Sequence, residues 1–303
     1  MSTTLPLFWH LSSASKNERL DASVKLISAL EHFQSQKAEA APAFAESSDD
    51  EDDHENVTQK FKDNLDLLNA QDVSYSIRRL IRGLASPRES SRLGFAVALT
   101  EVRRSVSNFS CYLLNVFSHI SQILSRLCTV TCSQIMRLIM ESTKHQGSMK
   151  GQEERDILFA RLFGISSIIQ SGLAVRTKPI SSLASSVTSA SSLECYGQIL
   201  SSLLSLGDQK SWLRESAWFT INLAVDALHG SDVSWKEEAV KKTLAALFTT
   251  HSVWSTEKLA LTLKMQNFFP SRDWKGYLSP IFKNTDILST GNLATVAKVL
   301  KVG

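Results

Sequence analysis

The sequence predicts an all-α fold of stacked helical hairpins, an armadillo- or HEAT-like solenoid. Three observations lead there. Apolar residues recur at helical spacing in segments of roughly 12 to 20 residues, joined by short Gly- or Ser-rich connections. No convincing run alternates apolar and polar residues as a half-buried strand would. The helix that follows Pro87 is apolar on most of its circumference, so it needs cover on more than one side, which hairpins stacked on both flanks supply. A globular helical bundle also satisfies this last observation. No exact internal repeat is visible, so any repeats have diverged.

The elements follow in chain order. Ser15-Lys16-Asn17-Glu18 has the form of a capping box and opens a helix with Leu20, Val24, Ile27 and Leu30 on one face. From about Ser35 to Asn56 periodicity is lost in an Ala-, Ser- and acid-rich stretch, so residues 35–56 are expected to be an acidic, disordered loop. Val57 to Leu68 reads as a short helix.

Ser74 to Arg104 then reads as two helices joined by a tight turn. Val73, Ile77, Leu80, Ile81 and Leu84 form the apolar stripe of the first. In the turn, Ser86 is placed to cap, Pro87 suits a first helical position, and Glu89 completes a capping box. The second helix has two stripes: Leu93, Ala96, Val97 and Thr100, and Phe95, Ala98, Leu99 and Val102.

Further on, Glu153 to Gln170 is a strong helix with Leu158, Leu162, Ile165 and Ile169 in register and Gly172 placed as a C-cap. Thr177 to Ser192 reads as a loop or weak helix. Leu193 to Leu206 is helical and closed by Gly207. Trp212 to Leu228 follows, with Trp212, Ala217, Trp218, Ile221 and Val225 apolar. Ser234-Trp235-Lys236-Glu237 is a third capping box, opening a helix through Phe248. Another helix runs from about Thr256 to Phe268 and stops at Pro270, and the last begins at Asn292. No polar capping element follows it, so the chain reads as the N-terminal portion of a longer solenoid. The whole of 1–303 is taken as part of one armadillo-like domain.

Composition sets bounds. The chain has 303 residues, 43% of them hydrophobic and 21% charged, as in ordinary folded proteins. Glu46 to Glu55 holds seven acids and no base; removing those from a net charge of +3 leaves the remainder at +10. Ser47 and Ser48 precede that acidic run, which gives them the form of an acid-directed phosphorylation site. The four cysteines, Cys111, Cys128, Cys132 and Cys195, form no regular framework, so a reducing compartment is the default. Cys128 and Cys132 have neither a second pair nor a nearby His doublet, so no metal site is expected. No secretory signal and no membrane span are visible.

No catalytic constellation emerges. The family B polymerase pattern Y-x-D-T-D-S, which supplies paired aspartates for two magnesium ions, is absent, as are a Walker A loop, H-E-x-x-H and G-x-S-x-G. Trp212, Trp218, Trp235 and Trp254 stand at helical positions and read as core. The candidate functional residues are Arg78, Arg79, Arg82, Arg88, Arg92, Arg103 and Arg104. Arginine neutralises phosphate and grips it with two N–H groups, so a nucleic-acid or partner contact is expected of them, set against simple solvation of helix faces. No interleaved aromatics support base stacking.

Two phrases carry a resemblance: RLIRGLASPRESSRLGFAVALTE in the hairpin and GSMKGQEERDILFARLFG at 147–164. With WLRESAWF at Trp212 to Phe219 and the opening LPLFWHLSSASKNERLDASVKLISAL, they resemble the fungal DNA polymerase V / Myb-binding protein 1A family, also called DNA polymerase phi, over most of 5–104 and 135–270. The resemblance implies a nuclear, nucleolar armadillo-like protein. It would act in ribosomal RNA transcription and ribosome biogenesis, on ribosomal DNA or pre-ribosomal RNA and with assembly or transcription factors. It implies no cofactor, membrane or small-molecule substrate. The alternatives are a polymerase-type enzyme, as the family name suggests, and a purely protein-binding transcriptional co-regulator. Residues 105–134 depart from the family pattern and form an atypical insert, which reads either as two buried helices or as translated non-coding sequence from near Val106.

Overall fold

The computed structural model describes residues 4–40, 65–96, 98, 130–144, 147, 151–177, 191–250 and 253–301. Among these, every regular element is helical, and the chain divides into two compact units, Met1–Cys195 and Tyr196–Gly303. No helix among the described residues is long and apolar enough to cross a membrane.

The first unit contains α1 (Leu5–His10), α2 (Lys16–Ala40), α3 (Leu65–Leu68), α4 (Gln71–Gly83), a second hairpin arm helical over 89–96, α5 (Cys132–Ser142) and α6 (Gln152–Gln170). Its core begins with the predicted stripe of α4: Val73, Ile77, Leu80, Ile81 and Leu84 are all buried. α4 packs against α2 on one side and α5 on the other, and α5 against α6.

The second arm is buried nearly all round, as its two stripes required. Phe95, Ala96 and Ala98 are inside, and Leu93 alone of the described apolar positions reaches solvent. Two glycines make the approach possible. A Cβ on Gly94 would stand 1.9 Å from the Leu11 carbonyl oxygen, and one on Gly83 2.5 Å from the Phe95 ring. Neither fits without backbone movement or repacking.

Several details differ from expectation. α2 starts at Lys16, with the Glu18 N–H donating to Ser15 Oγ, but the Glu18 carboxylate accepts from Ser13 instead of closing the box. Its buried face is Ala22, Leu26, Leu30 and Gln34, while Leu20 and Val24 are exposed; the helix packs against α1 and α4. It is helical through Ala40, five residues past the predicted loss of periodicity at Ser35; the acidic run and residues 105–129 lie outside the described residues.

In the hairpin turn, Ser86 Oγ accepts from the N–H of Arg88 rather than Glu89, and helix begins at 89, so Pro87 precedes it. α5 has a capping box that the sequence reading passed over, Thr131 with Gln134. α6 ends as predicted, with Gly172 in the left-handed conformation at φ 76. Cys132 and Cys195, both buried, are joined in a disulfide across 63 residues. That separation is why no framework showed in the spacing.

α7 (Leu193–Gln209) leads into the second unit, which continues with α8 (Ser211–His229), α9 (Lys236–Ala245) and its π-helical extension Ala246–Thr250, α10 (Thr256–Phe268), α11 (Trp274–Leu278) and α12 (Leu293–Lys301). Gly207 does not close α7. It lies inside the helix, and a Cβ there would meet Trp218 at 3.5 Å, an ordinary packing distance. Trp218 is buried, Trp235 and Trp254 are half-buried, and Trp212 is exposed, so the core assignment fails for Trp212. The Ser234 capping box is not formed either. Trp235 holds the N-cap position without a side-chain bond, while Lys236 donates to the carbonyls of His229 and Ser231. α10 has the predicted bounds, because Ser255 Oγ accepts from the Lys258 N–H at its start and Pro270 stops it.

Candidate nucleic-acid interface

The face of α4 opposite its apolar stripe carries Gln71, Tyr75, Arg78 and Arg82 at i, i+4, i+7 and i+11, with Arg79 at its flank. This face borders a groove of about 770 Å³, lined further by Lys37 of α2 and by Asp66 and Asn69 from α3 and the turn after it. Four bases and one acid therefore surround one open concavity, and an exposed tyrosine stands among them.

Each base is held differently. Arg78 grips Asp66 with two N–H donors, at 2.9 and 2.7 Å, in the fork geometry that a phosphate also accepts. That hydrogen bond holds the Asp66 carboxyl below the usual carboxylate range and the Arg78 guanidinium more firmly protonated. Arg79 lies 4.6 Å from the ring centre of Phe8, a buried residue of α1, and donates to the Tyr75 hydroxyl at 2.8 Å. Lys37 donates to the carbonyl oxygens of Asn69 at 2.7 Å and Asp66 at 3.3 Å. Arg82 is exposed, and its guanidinium is paired with no described side chain.

The other predicted arginines separate from this set. Arg88 is exposed in the turn. Arg92 is buried: it donates to Asp156 Oδ1 and to the Ser86 carbonyl, each at 2.8 Å, and its guanidinium lies 5.1 Å from the Phe159 ring centre. Gln152 donates to the same Asp156 oxygen at 2.9 Å. Arg92 thus fastens the hairpin to α6 inside the fold and is not offered to a ligand. Arg103, Arg104, Ser47 and Ser48 lie outside the described residues.

The sequence reading missed Lys37, Asp66 and Tyr75. For Lys37 and Asp66 no local signal existed, since the groove forms only when α2 and α3 meet α4. Tyr75 did have one: it precedes Arg78, Arg79 and Arg82 by three, four and seven residues.

Residues 75–303 match the family described as DNA polymerase phi. The chain belongs to that family. The match begins at Tyr75, so Tyr75, Arg78, Arg79, Arg82 and the Arg92–Asp156 pair fall within the DNA polymerase phi region, while Lys37, Asp66 and Gln71 precede it. Among curated relatives, the chain is 27% identical over 235 residues to the rDNA transcriptional regulator pol5 of Schizosaccharomyces pombe, covering 78% of this chain and 21% of that protein. It is 29% identical over 240 residues to rDNA transcriptional regulator POL5 of Saccharomyces cerevisiae, covering 77% of this chain and 22% of that protein. The chain therefore spans about a fifth of the length of these relatives. No solved structure matches.

Proposed function

We propose that this chain is part of a nucleolar, armadillo-like scaffold that acts in ribosomal DNA transcription and ribosome biogenesis, and that it holds nucleic-acid backbone on the basic face of α4. The regulatory role follows the names of its two yeast relatives. The scaffold reading is supported by consecutive helices that bury more than one face, above all the second hairpin arm. The observation that carries the binding reading is the groove itself, which gathers Lys37, Arg78, Arg79 and Arg82 around one carboxylate.

Such a surface attracts phosphates through charge and counterion release, without reading sequence. The partners are then ribosomal DNA or pre-ribosomal RNA, with transcription or assembly factors on other surfaces. Fluorescence anisotropy with labelled ribosomal DNA and pre-ribosomal RNA fragments tests the reading. Binding that weakens with salt, at a slope of about −2 to −3 in log affinity per log salt for some three neutralised phosphates, supports it. Undetectable binding at low salt removes it.

A further inference from the structure

We propose that the α4 groove takes single-stranded nucleic acid, with Tyr75 as the platform on which one unpaired base stacks. This rests on the nucleic-acid reading of the same groove and names the form of nucleic acid that fits it. The argument begins with Tyr75. It is 44% exposed, although it sits one residue from the buried Ser74 and Ser76 and two from the core residues Val73 and Ile77. An aromatic ring left this open on a groove wall, among four cations, is ready to cover an apolar face that arrives from outside.

The ring is also held in place. Arg79 donates to its hydroxyl, and Arg79 is itself seated over Phe8. Tyr75 has only two side-chain torsions to fix, so little freedom remains to be lost when a base lands on it. Around it, Arg78, Arg82 and Lys37 provide charge for the phosphates that flank that base, and Gln71, one turn earlier on the same face, offers an amide to a base edge.

A duplex cannot use this arrangement. Its bases are already stacked on one another, so Tyr75 meets only sugar and phosphate. Single strands present the ring face that tyrosine covers, and stacking of this kind is tolerant of base identity. The volume of about 770 Å³ has room for a base and its neighbouring phosphates, within the usual range for bound small groups.

The test uses the 303-residue chain and three labelled probes of one sequence: single-stranded RNA, single-stranded DNA and the DNA duplex. Anisotropy titrations compare the native chain with Tyr75→Ala, Tyr75→Phe and Arg82→Glu, each checked for an unchanged melting curve. The expected result is tighter binding of single strands than duplex. Tyr75→Ala loses roughly tenfold on single strands and almost nothing on duplex, while Tyr75→Phe, which keeps the ring but not the Arg79 hydrogen bond, loses much less. The two single-strand arms show whether the sugar matters.

A second readout is ultraviolet cross-linking of 4-thiouridine RNA, with the adduct mapped to the peptide that holds Tyr75. If Arg82→Glu weakens every probe but Tyr75→Ala weakens none, the groove binds backbone and the stacking proposal is overturned. If neither substitution alters binding, or the native chain binds no probe, the nucleic-acid reading falls as well.

Discussion

The two arms of the hairpin carry the same residue type to opposite ends. On α4, Arg78 and Arg82 stand opposite the apolar stripe, with Arg79 at the flank, and all three border an open groove. On the second arm, Arg92 is 8% exposed and faces Asp156 across the packed interior. Spacing relative to the apolar residues decides the outcome. α4 has one apolar face, so its charges have a side on which to remain in water. The second arm is covered nearly all round, so its arginine enters the interior and must bring a partner. The second unit adds another case: Lys258 is 1% exposed, with its ammonium 5.1 Å from the ring centre of Phe248 and 4.9 Å from that of Trp254. The lesson is that a count of basic residues says little about ligand binding until each one's surroundings are known.

The comparison breaks first at Asp156. Asp156→Ala leaves Arg92 charged inside the fold, and the chain is expected to lose about 3–5 kcal/mol in urea denaturation. Replacing both partners with apolar residues, Arg92→Met with Asp156→Leu, recovers much of that loss. A cost below about 1 kcal/mol for Asp156→Ala would place Arg92 with the surface arginines after all.

Lys258 gives a smaller effect with a distinct pH signature. Burial pushes its ammonium down to about 8, and the rings offset part of that cost. Between about 8 and the ordinary lysine value, the unfolded chain binds the proton more tightly, so stability rises with pH across that window. Below it both states are protonated and this group contributes no slope. Thermal melts are expected to show a gain on the order of 3 kcal/mol, absent in Lys258→Met. A native curve that is flat or falls over that range would contradict the burial argument.

How much of this was legible in the sequence depended on local strength of pattern. The α4 stripe was readable because five apolar residues share one face and nothing competes with it. α10 was readable at both ends because Ser255 and Pro270 act within a turn of the boundary. α2 was misread because it has apolar residues on two faces, and only its neighbours choose Ala22 and Leu26 over Leu20 and Val24. Arg92 was misplaced for a similar reason: its partner lies 64 residues on, and no spacing rule links them. The groove was half visible. Its arginines stand in one run, but Lys37 and Asp66 reach it only through tertiary packing.

The mildest expected effect sharpens the surface side of the comparison. Asp66 occupies the fork of Arg78, so Asp66→Asn releases that fork to a phosphate. The pair is half exposed, which limits the change, and affinity for single-stranded RNA is expected to rise about two- to fivefold by anisotropy. A fall would show that Asp66 orients Arg78 for the ligand rather than competing with it.

The central claim is that the open face of α4 binds nucleic-acid backbone while the buried arginine of the next arm does not. The most direct measurement is the salt dependence of single-stranded RNA affinity for the native chain and for Arg82→Glu. The account predicts affinity about tenfold weaker at low salt and a slope shallower by about one in the variant. Superimposable curves for the two proteins would contradict it.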